Sequence, residues 1–311
     1  MSGVAVLGAT GTIGRAVVKT LAGRGIAAIP VVRKPVEGFS DALVCADIAA
    51  LAPPLAARQP EAVISCMASR TGAPDDAWAV DHDAQVLALE AALAAGAQHF
   101  VLLSAICVQR PRLAFQFAKL GFEERLRAAP IRHSIVRPTA YFKSLSGQVA
   151  RVAAGKPFLV FGDGRLTATK PLSDADCAAY LVDCLTEAER FDATLPIGGP
   201  GPAITLRDQA KMLETLLGRP VAVRGVSPAI LKAAAVGLSV PGRVIPALGR
   251  RASLAAIGHY YATQSMLVFD PASGRYEADQ TPETGADRLI DHYRALLRGE
   301  AAVGLGDHAV F

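Results

Sequence analysis

The chain has 311 residues, of which 51% are hydrophobic and 19% are charged, a mixture that is typical of a globular protein and excludes a disordered one. The formal net charge is only +4 and no dense Lys/Arg block with interleaved aromatic residues is present, which argues against nucleic-acid binding. Five cysteines without a C-x-x-C pair, no signal-peptide pattern and no uninterrupted apolar run of ~18 residues predict a cytoplasmic protein with no zinc site, disulfide framework or membrane span.

The first part of the chain alternates short apolar runs with helical patterns. We predict strands at residues 4–7, 27–32, 43–46, 62–65, 100–104 and 133–136. We predict helices at residues 12–23, 77–95 and 113–128. Near-continuous apolar strands separated by helices indicate a parallel sheet that is covered on both faces. The predicted fold class is therefore α/β, a Rossmann-type doubly wound parallel sheet, with a smaller C-terminal substrate lobe.

The pattern changes after about Pro138. Strands are predicted at residues 158–161, 194–197 and 221–226, and helices at residues 174–185 and 205–217, the latter with Thr205 as its N-cap. Residues 230–248 are apolar but are interrupted by Lys232, Pro241, Arg243 and Pro246, which indicates broken helices that can lie against a membrane or a large apolar ligand. We predict a dinucleotide-binding domain at residues 1–145 and a substrate lobe at residues 146–311, some segments of which can return to the sheet.

A glycine-rich turn follows the first predicted strand and precedes the first predicted helix. It reads Gly8-Ala9-Thr10-Gly11-Thr12-Ile13-Gly14. A dinucleotide site needs a tight turn, a close backbone approach to the pyrophosphate and close packing of helix on strand, and glycine meets all three needs. Its place at the first strand–helix junction makes the signal specific. The predicted cofactor-binding residues of this turn are Gly8, Thr10, Gly11, Thr12, Ile13 and Gly14.

The end of the second strand indicates which dinucleotide is bound. It reads Val31-Val32-Arg33-Lys34-Pro35 and holds no acidic residue that would bond the ribose 2′-hydroxyl of NAD. Arg33 is the predicted partner of a 2′-phosphate, because a guanidinium bonds phosphate in a bidentate manner, and the predicted cofactor is NADPH. Asp47, after the third strand, is either a contact of the adenine or a helix N-cap.

The glycines, together with Ser104 at the end of the fifth strand and Arg137-Pro138-Thr139 after the sixth, resemble the short-chain dehydrogenase/reductase superfamily. The similarity is closer to the atypical branch with isoflavone-reductase-like and NmrA-like members. The typical family has a catalytic tyrosine four residues before a lysine. This chain has Lys119, but residue 115 is Phe, a departure that argues against ordinary carbonyl reduction.

Longer segments resemble the 8-vinyl-reductases of divinyl chlorophyllide within that branch, namely residues 65–72, 103–109, 114–120, 134–145, 155–164, 260–263 and 291–293. The resemblance implies NADPH-dependent reduction of the 8-vinyl group of a divinyl chlorophyllide or protochlorophyllide, a magnesium tetrapyrrole, to ethyl in chlorophyll or bacteriochlorophyll biosynthesis. Peripheral membrane contact is an expectation for so apolar a product. Two alternatives remain open: a non-catalytic NADP(H)-sensing regulator of the NmrA type, and a reductase of another conjugated alkene.

Five residues are predicted to serve the reaction under this resemblance. Lys119 is the candidate active-site cation, which bonds the nicotinamide ribose, stabilises developing charge or donates the proton; the alternative is a surface lysine. Tyr141 is the candidate proton donor, and the alternative is a packed aromatic residue. Ser104 either positions cofactor or substrate or caps its strand. Ser69 and Arg70 either line the cofactor cleft or belong to an ordinary loop.

Overall fold

The structure is a computed structural model that describes residues 3–39, 41–242 and 244–301. The strands, in chain order, are β1 (Val4–Leu7), β2 (Ala28–Val32), β3 (Leu43–Val44), β4 (Ala62–Ser65), β5 (His99–Leu103), β6 (Arg132–Pro138), β7 (Phe158–Phe161), β8 (Ala168–Thr169), β9 (Ala193–Ile197), β10 (Ile204–Thr205), β11 (Val223–Val226), β12 (Val268–Asp270) and β13 (Arg275–Glu277). The α-helices are α1 (Thr12–Gly23), α2 (Ala52–Arg58), α3 (Pro74–Ala77), α4 (Ala84–Ala94), α5 (Ala114–Arg127), α6 (Phe142–Leu145), α7 (Val149–Ala153), α8 (Asp174–Asp183), α9 (Leu206–Leu217), α10 (Ala229–Gly242), α11 (Pro246–Thr263) and α12 (Leu289–Leu297).

The chain divides into two compact units. The first unit comprises the chain up to Ser69 together with Asp75–Pro138 and Asp174–Ile197. The second comprises Arg70–Pro74, Thr139–Ser173 and the chain from Gly198 onward. The first unit is therefore not one continuous stretch, because α8 and β9 follow residue 145 in sequence and yet belong to it.

The first unit is built on a seven-stranded sheet in the order β3-β2-β1-β4-β5-β6-β9, in which every neighbouring pair is parallel. All residues of β1, β4 and β5 are buried, as the continuous apolar runs predicted. The Rossmann-type doubly wound fold is confirmed. The strand order reverses between β1 and β4, and open α/β sheets bind ligands beyond the carboxyl ends of strands at such a point.

The helices predicted for this unit are present, although one of them is interrupted, and α2 was not predicted. The predicted helix at residues 77–95 is interrupted, because Trp78–Asp83 forms a π-helical turn between α3 and α4. Such turns insert an extra residue into the helix and shift the direction of its side chains. Asp81, within this turn, is buried.

The second unit has its own apolar core. Its short strands form three pairs, β10 with β8, β11 with β7 and β12 with β13. The core includes Phe158, Leu213 and the fully buried Tyr293, whose hydroxyl donates to the carbonyl oxygen of Leu145 at 2.7 Å. Thr205 caps α9 as predicted: its side chain accepts a hydrogen bond from the N–H of Asp208 at 3.3 Å, and the Asp208 carboxylate accepts one from the N–H of Thr205.

The apolar segment at residues 230–248 forms parts of two helices, α10 and α11, as predicted. Pro241 lies in the last turn of α10. Because proline lacks a backbone N–H and its ring clashes with the preceding turn, it kinks or ends a helix. Arg243, one of the predicted interruptions, lies outside the described residues. Across the described ranges, no helix is both long enough and apolar enough to cross a bilayer.

Candidate active site

The turn between β1 and α1 is packed so closely that it requires glycine at two positions. Gly8 has a φ of +69°, and a Cβ atom on it would lie 2.7 Å from the carbonyl oxygen of Cys66. A Cβ atom on Gly14 would lie 2.2 Å from the carbonyl oxygen of Gly8, which shows that α1 begins in contact with the turn. A Cβ atom on Gly11 would lie 3.2 Å from the same oxygen, a milder contact. These are the close approaches that a dinucleotide-binding turn requires.

The N-terminus of α1 suits an anionic ligand. Its N-cap residue is Gly11, so no side chain caps the helix, and the first turn holds no acidic residue. Thr10, Gly11 and Thr12 are exposed, whereas Ile13 is buried. The N–H groups and the dipole at the start of a helix favour negative charge. The residues of the turn therefore fit the pyrophosphate of a dinucleotide cofactor.

Two arginines, one in α1 and one directly after β2, the strand that pairs with β1, are exposed. Arg33 directly follows β2, and within the described part of the chain its guanidinium makes no hydrogen bond or ion pair. Arg15, in the first turn of α1, donates from Nε to the carbonyl oxygen of Thr10 at 3.1 Å, and its guanidinium carbon lies 5.1 Å from the centre of the Phe39 ring. Arg15 is not among the residues predicted from the sequence, although a cation directly after the third glycine of the turn is visible there.

Asp47 caps a short 3₁₀ turn after β3. Its carboxylate accepts a hydrogen bond from the backbone N–H of Ala49 at 3.0 Å, and the 3₁₀ turn extends over Ile48–Ala50. Of the two alternatives for this residue, the structure shows the N-cap. A contact of Asp47 with the adenine stays a prediction.

Lys119 is not a surface lysine. Its Nζ atom lies 2.9 Å from Oδ1 of Asp81, and the exposed fractions of the two side chains are 11% and 0%. Ser69, after β4, donates to the same carboxylate from its backbone N–H, at 3.2 Å, and from its hydroxyl. Two of the predicted site residues, Ser69 and Lys119, are thus brought together by a third residue, Asp81, that was not predicted.

The π turn gives Asp81 its position. Asp81 lies within Trp78–Asp83, and Gln85 lies four residues later, also buried. The Gln85 side chain accepts from the Ser65 hydroxyl at 2.8 Å and donates to the carbonyl oxygen of Met67 at 3.2 Å. Two polar residues at a spacing of four on a helix that follows β4 were the signal available in sequence. Because π turns occur frequently at functional sites, the irregularity itself supports a role for this segment.

Ser104 belongs to a different group of side chains. Its hydroxyl donates to Oε1 of Glu123 at 2.6 Å, and Glu123 is fully buried. The same carboxylate accepts from Arg137 on β6 and from Arg127 on α5. This cluster ties β5, α5 and β6 together and has no hydrogen bond to Lys119. A role for Ser104 in positioning cofactor or substrate stays a prediction.

Two predicted site residues lie in the second unit. Tyr141 is half-buried directly before α6, where its backbone pairs with Leu172 in a β-bridge. Arg70 is exposed. Tyr141 is followed by the buried Phe142, whose ring lies 5.5 Å from that of His292 between centroids. Whether Tyr141 acts as a proton donor stays a prediction.

Comparison with known proteins agrees with this geometry. A family model described as NAD(P)H-binding matches residues 8–188, a range that begins at the first glycine of the turn. An NADPH-dependent quinone oxidoreductase of Escherichia coli, solved with NADPH, has a similar fold, with a TM-score of 0.67 and 19% identity over 94% of this chain and 99% of that one. The chain therefore has a nicotinamide-cofactor-binding domain of the Rossmann type.

Two curated relatives are similar over nearly the whole chain. The divinyl chlorophyllide a 8-vinyl-reductase of Zea mays is 43% identical over an aligned length of 334 residues. The alignment covers 99% of this chain and 82% of the relative. The enzyme of the same name from Arabidopsis thaliana is 41% identical over an aligned length of 329 residues. This alignment covers 98% of this chain and 79% of the relative. The similarity therefore extends through both units and is not confined to the cofactor-binding turn.

Proposed function

The chain belongs to the family of the divinyl chlorophyllide a 8-vinyl-reductases, and from this we propose that it reduces the 8-vinyl group of a divinyl chlorophyllide to an ethyl group. The observation that carries the proposal is 43% identity over 99% of the chain. A match restricted to the dinucleotide-binding turn would leave the substrate open, whereas this one includes the second unit. The reaction is a step of chlorophyll or bacteriochlorophyll biosynthesis, and its substrate is a magnesium tetrapyrrole.

The proposed cofactor is NADPH. Supporting this choice, Arg33 directly follows β2 and is exposed, and residues 31–35 include no carboxylate that would bond the ribose 2′-hydroxyl of NAD. Arg15 adds a second exposed cation at the start of α1. The turn from Gly8 to Gly14 would hold the pyrophosphate, and Arg33 would bond the 2′-phosphate.

The cofactor preference can be tested at Arg33. Arg33→Ala is expected to weaken NADPH binding by about tenfold to a hundredfold, the loss typical of a hydrogen bond to a charged group, and to leave NADH binding nearly unchanged. Lys19→Ala, which removes another exposed cation from α1, is the matched control and should change neither affinity. Equal losses for the two nucleotides, measured by fluorescence titration, would refute the assignment.

The absence of a tyrosine at position 115 suits the proposed reaction. When bound, the cofactor supplies a hydride. Reduction of a carbonyl generates an alkoxide that needs an adjacent proton donor, whereas a vinyl group conjugated to a macrocycle passes negative charge to the ring. The buried Phe115 provides no such donor. The protein would then have to hold the cofactor and the ring at the distance and orientation that hydride transfer requires, and to deliver a proton to carbon.

Lys119 is proposed as the cation that contacts the cofactor ribose. Asp81 and Ser69 restrict its position, because the ammonium and the carboxylate are both nearly excluded from water and lie 2.9 Å apart. Tyr141 is proposed as the proton donor, and Ser69, Arg70 and Ser104 as residues that position the ligands. These roles rest on their places in the sequence motifs and, for Ser69 and Lys119, on the shared contact with Asp81.

The proposed function is tested by incubating the purified protein with NADPH and divinyl chlorophyllide and separating the pigments by chromatography. We expect the monovinyl product, and we expect Tyr141→Phe to form it more slowly. Recovery of divinyl pigment alone, together with tight binding of NADPH, would contradict the proposal and favour a cofactor-sensing regulator. Inertness toward divinyl chlorophyllide but turnover of another conjugated alkene would also contradict it.

A further inference from the structure

Helix α10 presents apolar side chains to solvent. No described residue of α10 is buried, and Ile230, Val236 and Val240 are 61%, 64% and 66% exposed. With the exposed Ala233, their spacing of three to four residues places them on one side of the helix. The solvent-facing side of a helix in a globular protein is ordinarily polar, and the exposed side of α10 departs from this pattern.

The connection from α10 to α11 continues the apolar surface. Val244 is 84% exposed and Ile245 is 49% exposed. Their backbone N–H groups donate to the carbonyl oxygen of Pro241 at 3.1 and 2.9 Å, so the connection is an ordered turn. Behind it, the two helices approach closely, since a Cβ atom on Gly242 would lie 2.7 Å from the Cα atom of Gly249. We call this surface, formed by Ile230, Ala233, Val236, Val240, Val244 and Ile245, the hairpin surface. Contiguous exposed apolar side chains mark a binding surface.

The charged residues within the α10–α11 segment itself all have one sign. The sequence contains no Asp or Glu between Glu214 and Asp270. Within the hairpin, Lys232 is exposed near the stripe on α10, and Arg250 and Arg251 are exposed on α11. The whole chain has a formal net charge of only +4, so this concentration of positive charge is local. It favours an anionic partner.

We propose that the hairpin surface binds the surface of an anionic lipid bilayer. Aliphatic side chains would enter the boundary between headgroups and acyl chains, and Lys232, Arg250 and Arg251 would contact the lipid phosphates. A second copy of the chain would bring the same positive charge to the contact, and a nucleic acid would leave the aliphatic residues unpaired. Since no helix in the described ranges can cross a bilayer, the contact is interfacial. The inference does not rest on the proposed function.

The test is sedimentation of the full-length protein with vesicles of phosphatidylcholine alone or of phosphatidylcholine mixed with phosphatidylglycerol. We expect binding to the mixed vesicles, weakened by salt. The double variant Val240→Ser with Val244→Ser, which we call the tip variant, should abolish it. The control Val44→Ser with Leu166→Ser, which alters two exposed aliphatic residues elsewhere, should not. Arg250→Gln with Arg251→Gln should weaken binding by about 30-fold, at ~1 kcal/mol for each cation near the surface, and Arg275→Gln should have little effect.

Three results would overturn the proposal. The first is equal sedimentation of the tip variant and its control. The second is a change of oligomeric state in the tip variant without vesicle binding by the wild type, which would assign the surface to contact between copies. The third is a raised KM for pigment in vesicle-free solution with unaltered sedimentation, which would assign it to substrate. Because sedimentation requires no turnover, a failure here leaves the proposed function standing.

Discussion

The ion pair of Lys119 and Asp81 joins two elements that are distant in sequence, α5 and the π turn. Burying a single charge is costly, and a buried pair is tolerated when additional hydrogen bonds satisfy it. Ser69 supplies those bonds from its hydroxyl and its backbone N–H. A lysine restricted in this way contacts a ligand with less loss of side-chain entropy than a solvated lysine would. The residue expected to serve the cofactor is thus held in place by its protein neighbours.

A double-mutant cycle tests the coupling of these two residues. Asp81→Asn leaves the Lys119 ammonium without its counter-charge and is expected to cost about 3–5 kcal/mol of the free energy of unfolding. Lys119→Met alone should also destabilise the protein, because it leaves the fully buried Asp81 carboxylate. The double variant removes both charges and should cost clearly less than the sum of the two. Urea denaturation measures all four proteins, and strictly additive losses would show that the pair is not coupled.

At the scale of single elements, the glycine turn and α1 act together. Gly14 allows α1 to begin against the backbone of Gly8, which places the helix N-terminus at the carboxyl end of β1. The π turn holds Asp81 at Ser69, and the helix that follows it holds Gln85 at Met67; both of these partners follow β4. Both elements depart from regular geometry where the sheet ends, which is where ligands of open α/β sheets bind.

Two glycines of α1 provide a matched pair for a test of the turn. Gly14→Ala is expected to weaken NADPH binding by about tenfold or more and to destabilise the protein by about 1–3 kcal/mol, because the added carbon would lie 2.2 Å from the Gly8 oxygen. Gly23→Ala, where no atom lies within 4 Å, should leave binding unchanged and stabilise the helix by about 0.5–1 kcal/mol. Indistinguishable dissociation constants for the two variants would argue against a cofactor at this turn.

At the scale of the whole molecule, pH-dependent stability is expected from a buried histidine in the sheet. His99 begins β5, and its Nε2 atom lies 2.9 Å from the hydroxyl oxygen of Ser134. Burial, and secondarily the charge of Arg132, lowers the pKa of His99 from 6.5 to about 4. The imidazole therefore stays neutral in the folded protein at a pH at which the unfolded chain already binds a proton.

The consequence is a loss of stability as pH falls from about 6.5 to about 4. The contribution of His99 to the free energy of unfolding is complete above pH 6.5. It decreases by about 3 kcal/mol as the pH falls across this window, since one pKa unit corresponds to ~1.4 kcal/mol. His99→Gln can keep a hydrogen bond with Ser134 but does not titrate, so its free energy of unfolding should decrease less steeply with acid. Parallel curves for the variant and the wild type, measured by denaturant unfolding between pH 7.5 and pH 4, would contradict this account.

The sequence alone determined the elements whose signals are local. Continuous apolar runs predicted the strands of the parallel sheet, the glycine spacing predicted the turn at Gly8, and Thr205 predicted the start of α9, each because the cause lies within a few residues of the effect. The family resemblance likewise came from short segments of sequence. In the helix at residues 77–95 the local pattern was insufficient, because a π turn alters helical periodicity without a distinct sequence signal.

Only the tertiary structure decided which distant residues meet. It placed β9 beside β6 in the sheet, paired Lys119 with the unpredicted Asp81, and directed the Ser104 hydroxyl to Glu123. It also decided that the apolar residues of α10 face solvent, since an apolar helix has the same sequence pattern whether it is buried or exposed. The physical reason is common to all four cases: burial, pairing and desolvation depend on contacts between segments, and a single sequence specifies those contacts only through the complete fold.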